Sequence, residues 1–216
     1  MDRCVALLAL AAMVLSAGPV RAQSADPSLS DVTEAYRALE GLRATFVQVT
    51  GSQFADDSMR ITGSVVLSGN KYRVQTPTQT VVTDGATTWI YTPADSQVVV
   101  NDAGTGASTI TPETFLTASS DRYRVESTTP ATRLGAPHLI LGVTATTPDA
   151  RFQSVRLWVR RADRIVTRMQ ATDRSGSTID LRLRNITVNP DTLRTGTPFT
   201  FSPPEPANVI DLRSGD

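Results

Sequence analysis

His138 is the only imidazole in the chain and Cys4 the only thiol. A nucleophilic triad or a histidine metal site would have to be built around His138, yet there is no G-x-S-x-G elbow and no cysteine after it. It follows Pro137 at the head of an expected strand, so a structural, strand-end histidine is predicted. Asp56, Asp57, Asp84, Asp95 and Asp102 could in principle supply a glycosidase pair or calcium ligands. All five stand at turn signals, where aspartate hydrogen-bonds to its own backbone, and no EF-hand spacing joins them. "GTGAST" (Gly104 to Thr109) lacks both the third glycine of a dinucleotide loop and the lysine of a P-loop, so a hinge is expected there. The sequence implies no enzyme, metal or cofactor, and an exported hydrolase is the weakest reading.

Any function then has to come from surfaces, and the residue pattern says which ones exist. From Ala44 onward the apolar period is two. Ile61, Val65 and Leu67 share one face of a strand, and Tyr72 and Val74 one face of the next. Val155, Leu157 and Val159 alternate with Arg156, Trp158 and Arg160; Ile179, Leu181 and Leu183 alternate with Asp180, Arg182 and Arg184. Such alternation predicts antiparallel strands with one face covered and the other wet. Ten to eleven strands at regular spacing suggest a barrel or sandwich. Arg156, Arg160, Arg161, Arg182 and Arg184 are expected outside, as solubilising charges or a docking surface for a partner protein.

Two helical segments interrupt this pattern. One starts at Ser30 or Asp31, with Glu34 placed for a capping box, and carries Val32, Tyr36, Leu39 and Leu42 on one stripe ending near Gly41. The other follows the glycine-rich loop, with Thr111 as cap, Pro112 in the first turn and Phe115 and Leu116 as its apolar residues. Two small helices cover only part of so large a sheet, so an apolar hollow is expected to remain as a binding site.

The first 22 residues read as a secretory leader: Arg3, then the apolar run Val5 to Leu15, then a small-residue site ending at Ala22. Cleavage after Ala22 is expected, leaving residues 23–216 as one domain in the periplasm. Cys4 precedes the apolar run and is not a lipidation site. The mature chain then has no cysteine, so its stability must come from its core. Removing Arg3, Arg21 and Asp2 leaves 19 basic and 20 acidic residues, a balance that argues against nucleic acid or an anionic membrane surface as partner. "NIT" (Asn185 to Thr187) fits a glycosylation sequon.

In sequence order, "LEGLRATFVQVT" (Leu39 to Thr50), "ITGSVVL" (Ile61 to Leu67), "KYRV" (Lys71 to Val74) and "VVTDGATTWIYTPADSQVVV" (Val81 to Val100) resemble the LolA family, periplasmic carriers of outer-membrane lipoproteins. Asp84, Gly85, Trp89, Tyr91 and Pro93 match its D-G-x-x-x-W-x-Y-x-P pattern. "TPETFL" (Thr111 to Leu116), "DRSG" (Asp173 to Gly176), Asn185 and "FTFSPP" (Phe199 to Pro204) extend the resemblance over nearly the whole mature chain. It implies an unclosed antiparallel β-barrel with an apolar concave face lidded by helices. It also implies acylated lipoproteins as cargo, an inner-membrane lipoprotein-releasing ABC transporter as donor and an outer-membrane lipoprotein receptor as acceptor. A monomer is expected. A sensor or accessory module of the same fold is the alternative. Strand parity and lid position nominate Val65, Leu67, Tyr72, Val74, Trp89, Tyr91, Phe115, Leu116, Leu157 and Leu181 as the lining. Family members carry an arginine followed by proline before the K-Y-R-V-like strand, hydrogen-bonded to the lid. Here Gly69 and Asn70 stand at those positions, so that latch is not expected.

Overall fold

In the computed structural model, the described residues are 28–52, 55–103, 116, 122–193 and 197–213. Helix α1 (Leu29–Arg37) opens them. Its N-cap is Ser28, not Ser30 or Asp31. The Ser28 hydroxyl accepts from the Asp31 N–H at 3.2 Å, and the Asp31 carboxylate accepts from the Ser28 N–H at 2.8 Å, a reciprocal capping box with aspartate in the usual glutamate place. Leu29, Val32, Thr33 and Tyr36 are its buried residues. Leu39 and Leu42, expected on the same stripe, lie beyond its end.

Twelve strands follow: β1 (Leu42–Ser52), β2 (Ala55–Ser68), β3 (Lys71–Gln75), β4 (Thr80–Thr83), β5 (Thr87–Thr92), β6 (Gln97–Asp102), β7 (Tyr123–Arg133), β8 (Ala136–Ala145), β9 (Ser154–Arg160), β10 (Val166–Thr172), β11 (Ser177–Val188) and β12 (Asn208–Asp211). They form one sheet in the order β12-β6-β5-β4-β3-β2-β1-β11-β10-β9-β8-β7. Every pair is antiparallel except β12 with β6. The ends do not join, so this is the unclosed, mainly β sheet expected from the residue pattern. The segment carrying Phe115 lies outside the described residues, and of its neighbour Leu116 the structure gives only a helical, fully buried position.

The pairing register fixes which residues share a face. On one face, here called inner, stand Leu42, Ala44 and Phe46 of β1, Ile61, Val65 and Leu67 of β2, and Tyr72 and Val74 of β3. Leu181 and Leu183 of β11, Met169 of β10, Leu157 of β9 and Leu141 of β8 continue it. α1 packs on this face, and the Tyr36 hydroxyl accepts from the Val166 N–H at 3.1 Å. Over β8–β10 the packing is complete: Leu139, Leu141, Leu157, Val159, Ile165, Val166 and Met169 are all at 0% exposure.

In the long β1–β2 hairpin the inner face crosses Gly63, which pairs with Phe46. A Cβ there would press on the Gln75 carbonyl oxygen and come within 2.7 Å of the Phe46 Cζ. The Phe46 ring thus lies over a bare stretch of backbone, an arrangement that needs glycine. At the next turn Gly69 takes φ +56°, and Asn70 donates to the Gly85 carbonyl oxygen at 3.3 Å. The Gly63→Ala variant is expected to lose about 1–3 kcal/mol of stability through overpacking, read as a lower midpoint in urea with an unchanged slope.

Candidate functional site

The inner face divides into two unlike halves. Under α1 and around Phe152 and Tyr123 it is sealed core. Over β1–β6 it stays partly open: Phe46, Ile61, Tyr72, Ile90 and Val99 are half-buried, and Met59 is 58% exposed. β3 pairs only with residues 64–68 of β2, so the stretch carrying Met59 and Ile61 has β1 as its sole partner strand among the described residues. Apolar side chains therefore run from the free part of the hairpin toward β6 with only partial cover. Val65, Leu67 and Val74, at 4–6% exposure, form the floor beneath them.

One lateral row of this face is polar. Tyr72 pairs with Thr83, Thr83 with Thr88, and Thr88 with Asn101, across four successive strands. Thr83, Thr88 and Asn101 are 2%, 1% and 9% exposed. The Thr83 hydroxyl donates to the Thr87 carbonyl at 2.9 Å and accepts from the Gly85 N–H at 3.2 Å. The Thr88 hydroxyl has no partner among the described residues, a defect worth about 1–3 kcal/mol in a buried group. Burial raises the Tyr72 phenol above its ordinary pKa, which keeps it a neutral donor.

Of the residues nominated from the sequence, Val65, Leu67, Tyr72, Val74, Leu116, Leu157 and Leu181 belong to or pack against the inner core. Phe115 is outside the described residues. Trp89 and Tyr91 do not join the others. Trp89 pairs with Val82, which pairs with Arg73, and Arg73 with Val66, all on the opposite face. There the C-terminal segment covers them. Arg73 donates through Nε to the Pro198 carbonyl at 2.6 Å and through Nη2 to the Thr200 carbonyl at 2.7 Å. The Phe201 ring lies 6.1 Å from that of Tyr91. Val82 and Val98, both at 0%, and Phe199 at 4% complete this second core. Phe46, Ile61, Ile90 and Val99 join the lining without having been nominated for it; the last two follow only from the register.

Three of the other candidate groups, His138, Asp84 and Asn185, are held by the fold. His138 is 2% exposed near the start of β8, with Nδ1 2.9 Å from the Ala136 carbonyl and Nε2 2.9 Å from the Thr167 hydroxyl. Asp84 accepts from the N–H groups of Ala86 and Thr87 at 2.9 and 2.8 Å. Asn185 donates to the Thr45 hydroxyl at 3.1 Å. Among the described residues no group of three or more His, Cys, Asp or Glu could hold a metal, and no helix is long and apolar enough to cross a membrane. A groove of about 500 Å³ with a mixed lining lies between the β1–β2 hairpin and β9–β11, with Asp57, Arg156, Gln170 and Asp180 beside Val49, Ala171 and Ile179.

The fold is thus a single open β-sheet whose apolar inner face is partly covered by a helix. The chain belongs to the family described as "Outer membrane lipoprotein carrier protein LolA", whose model matches residues 37–201. No curated protein matches the sequence. Among solved structures, an uncharacterized conserved protein from Thermus thermophilus is similar over 85% of this chain and 96% of its own, with a TM-score of 0.55 at 14% identity. A LolA superfamily protein from Nitrosomonas europaea is similar over 82% and 99%, with a TM-score of 0.42 at 14% identity. The MucA/MucB complex of Pseudomonas aeruginosa contains a chain similar over 74% and 58%, with a TM-score of 0.38 at 13% identity.

The outer face of the sealed half is held by charge. Asp180 accepts from Arg168 at 2.9 and 2.7 Å and from Arg182 at 3.2 and 2.7 Å, while the Arg168 guanidinium lies 4.4 Å from the Trp158 ring centroid. Burial opposes ionisation of Asp180, but the two guanidiniums outweigh it and hold the carboxyl well below the usual carboxylate range. A depressed folded-state pKa stabilises the fold above the ordinary value of 3.8, and this contribution fades as pH falls toward the lowered one. Asp180→Asn is expected to cost about 1–2 kcal/mol in urea denaturation at pH 7. The gap between the two proteins should narrow progressively below pH 3.8.

Proposed function

We propose that this protein is a periplasmic carrier that shields the acyl chains of lipoproteins on its inner face and moves them from the inner to the outer membrane. The observation that carries this reading is the half-open apolar surface of Phe46, Ile61, Tyr72, Ile90 and Val99, beside a half that is packed to completion. Partly covered apolar side chains on an open sheet favour an apolar ligand. Family membership points the same way, and so does the secretory leader expected at residues 1–22. The inner-membrane ABC transporter and the outer-membrane receptor are the partners this role requires.

The energetics suit the task. Each buried acyl CH₂ is worth about 0.8 kcal/mol, so one long chain carries on the order of 10 kcal/mol of aversion to water. A lipoprotein crosses an aqueous compartment only if its tails are hidden. Contact with apolar side chains supplies that cover without a bond-making step, so the protein acts as a binding protein and not as an enzyme. Mass spectrometry of protein purified from the native host should find co-purifying acylated peptides. After mild delipidation, the protein should bind a fluorescent fatty acid, and Ile61→Glu should weaken this about tenfold or more with an unchanged circular dichroism spectrum. A delipidated protein that takes up neither the fatty acid nor an acylated peptide is no carrier.

A further inference from the structure

We infer that Thr88, with Tyr72 and Asn101 in the same lateral row, forms a polar subsite on the inner face that hydrogen-bonds the ester or amide carbonyls of an acylated ligand. This rests on the carrier reading and adds to it the point where the head of the cargo is held.

Three observations converge on the row. The Thr88 side chain is 1% exposed and its hydroxyl has no hydrogen-bond partner among the described residues. Its cross-strand neighbour Thr83 is satisfied twice by the adjoining turn, whereas Thr88, inside β5, has no such local partner. Valine at 88 would have the same shape, suit a strand better and leave nothing unpaired. Threonine there brings the fold no interaction of its own.

The second observation is what flanks it. Asn101, next to the end of β6, is 9% exposed beside Thr88, and Tyr72 completes the row as a neutral phenol. Neither side chain hydrogen-bonds to another described residue. The third is position. The next inner row is apolar, with Val74, Val81, Ile90 and Val99 in register. Tyr72 is half-buried while Thr88 and Asn101 are buried, so a ligand reaches their donors by displacing what covers the row, and its hydrocarbon tail then lies on the apolar side chains of the next. A hydroxyl, a phenol and an amide all donate to carbonyl oxygens, and none carries charge. The row therefore suits a neutral ester or amide better than a phosphate.

The test compares ester with ether. Displacement of diphenylhexatriene, a pure hydrocarbon probe, is measured with a diacylglyceryl-cysteinyl peptide, with the matching diacylglycerol, and with the dialkyl ether analogue of each. Wild-type protein should prefer the esters about tenfold, because a site built for a hydrogen bond rejects the ligand that lacks it. Thr88→Val should lose most of that preference and bind the ethers as wild type does, with a Tm no lower than wild type. The peptide and the glyceride, compared with each other, separate a lipoprotein cargo from a free lipid. Equal binding of ester and ether by wild-type protein overturns the subsite and leaves the carrier reading standing. A sharp drop in Tm for Thr88→Val also overturns it, since the hydroxyl would then serve the fold. If wild-type protein takes up neither probe nor lipids, the carrier reading falls and the subsite with it.

Discussion

A sheet of twelve strands has two faces, and the chain outside the strands can cover only parts of each. That constraint organises the molecule. α1, held by Tyr36 to the start of β10, packs its buried residues into the inner core. Residues 197–201, held by Arg73, close the outer face over β3–β6. The charged ladder of Arg156, Arg168, Asp180 and Arg182 keeps the outer face of the first half in water. The inner face over β1–β6 is what remains, and it is only half covered.

Arg73 is central to this division. Its guanidinium is fixed by two backbone carbonyls of a segment more than 120 residues away in sequence. Main-chain carbonyls are strong acceptors whatever the side chains around them, so the clasp depends on chain path more than on local composition. With the C-terminal segment docked outside, Trp89 and Tyr91 stand half-buried on the outer face, Tyr91 beside the Phe201 ring. The aromatic residues that a lining would be expected to use are therefore withdrawn from the inner face, which keeps Tyr72 and Phe46.

Much of this is legible in the residues, and the rest is hidden for identifiable reasons. Clean alternation in 155–160 and 179–184 places inner and outer side chains correctly, because one wet face makes the period visible. Parity does not carry across turns. Aromatic character groups Trp89 with Tyr72, but the Asp84–Gly85 turn and the short β4 between them reverse the face. The valine doublets at 65–66 and 81–82, and the triplet at 98–100, hold the missing information. Adjacent apolar residues in a strand mean that both faces are covered, and they mark the strands under the C-terminal segment. At the helix start, Asp31 fills the capping-box position normally held by glutamate, so reading it as the cap misplaces the boundary by nearly one turn.

For a carrier, an apolar surface alone leaves a difficulty. Hydrocarbon contact is strong but non-directional, so a tail could slide along the sheet and no depth would be preferred. A single polar row crossing an apolar face resolves this. In the proposed subsite, carbonyls in register with Tyr72, Thr88 and Asn101 would satisfy donors that have no partner among the described residues, whereas a tail pushed one row further would strand both its own carbonyls and those donors. Such contacts are each worth about 1 kcal/mol net, small beside the tail's burial. In the proposed carrier they would fix where the cargo stops without deciding how tightly it is held, and release would be governed by the apolar surface and by whatever competes for it.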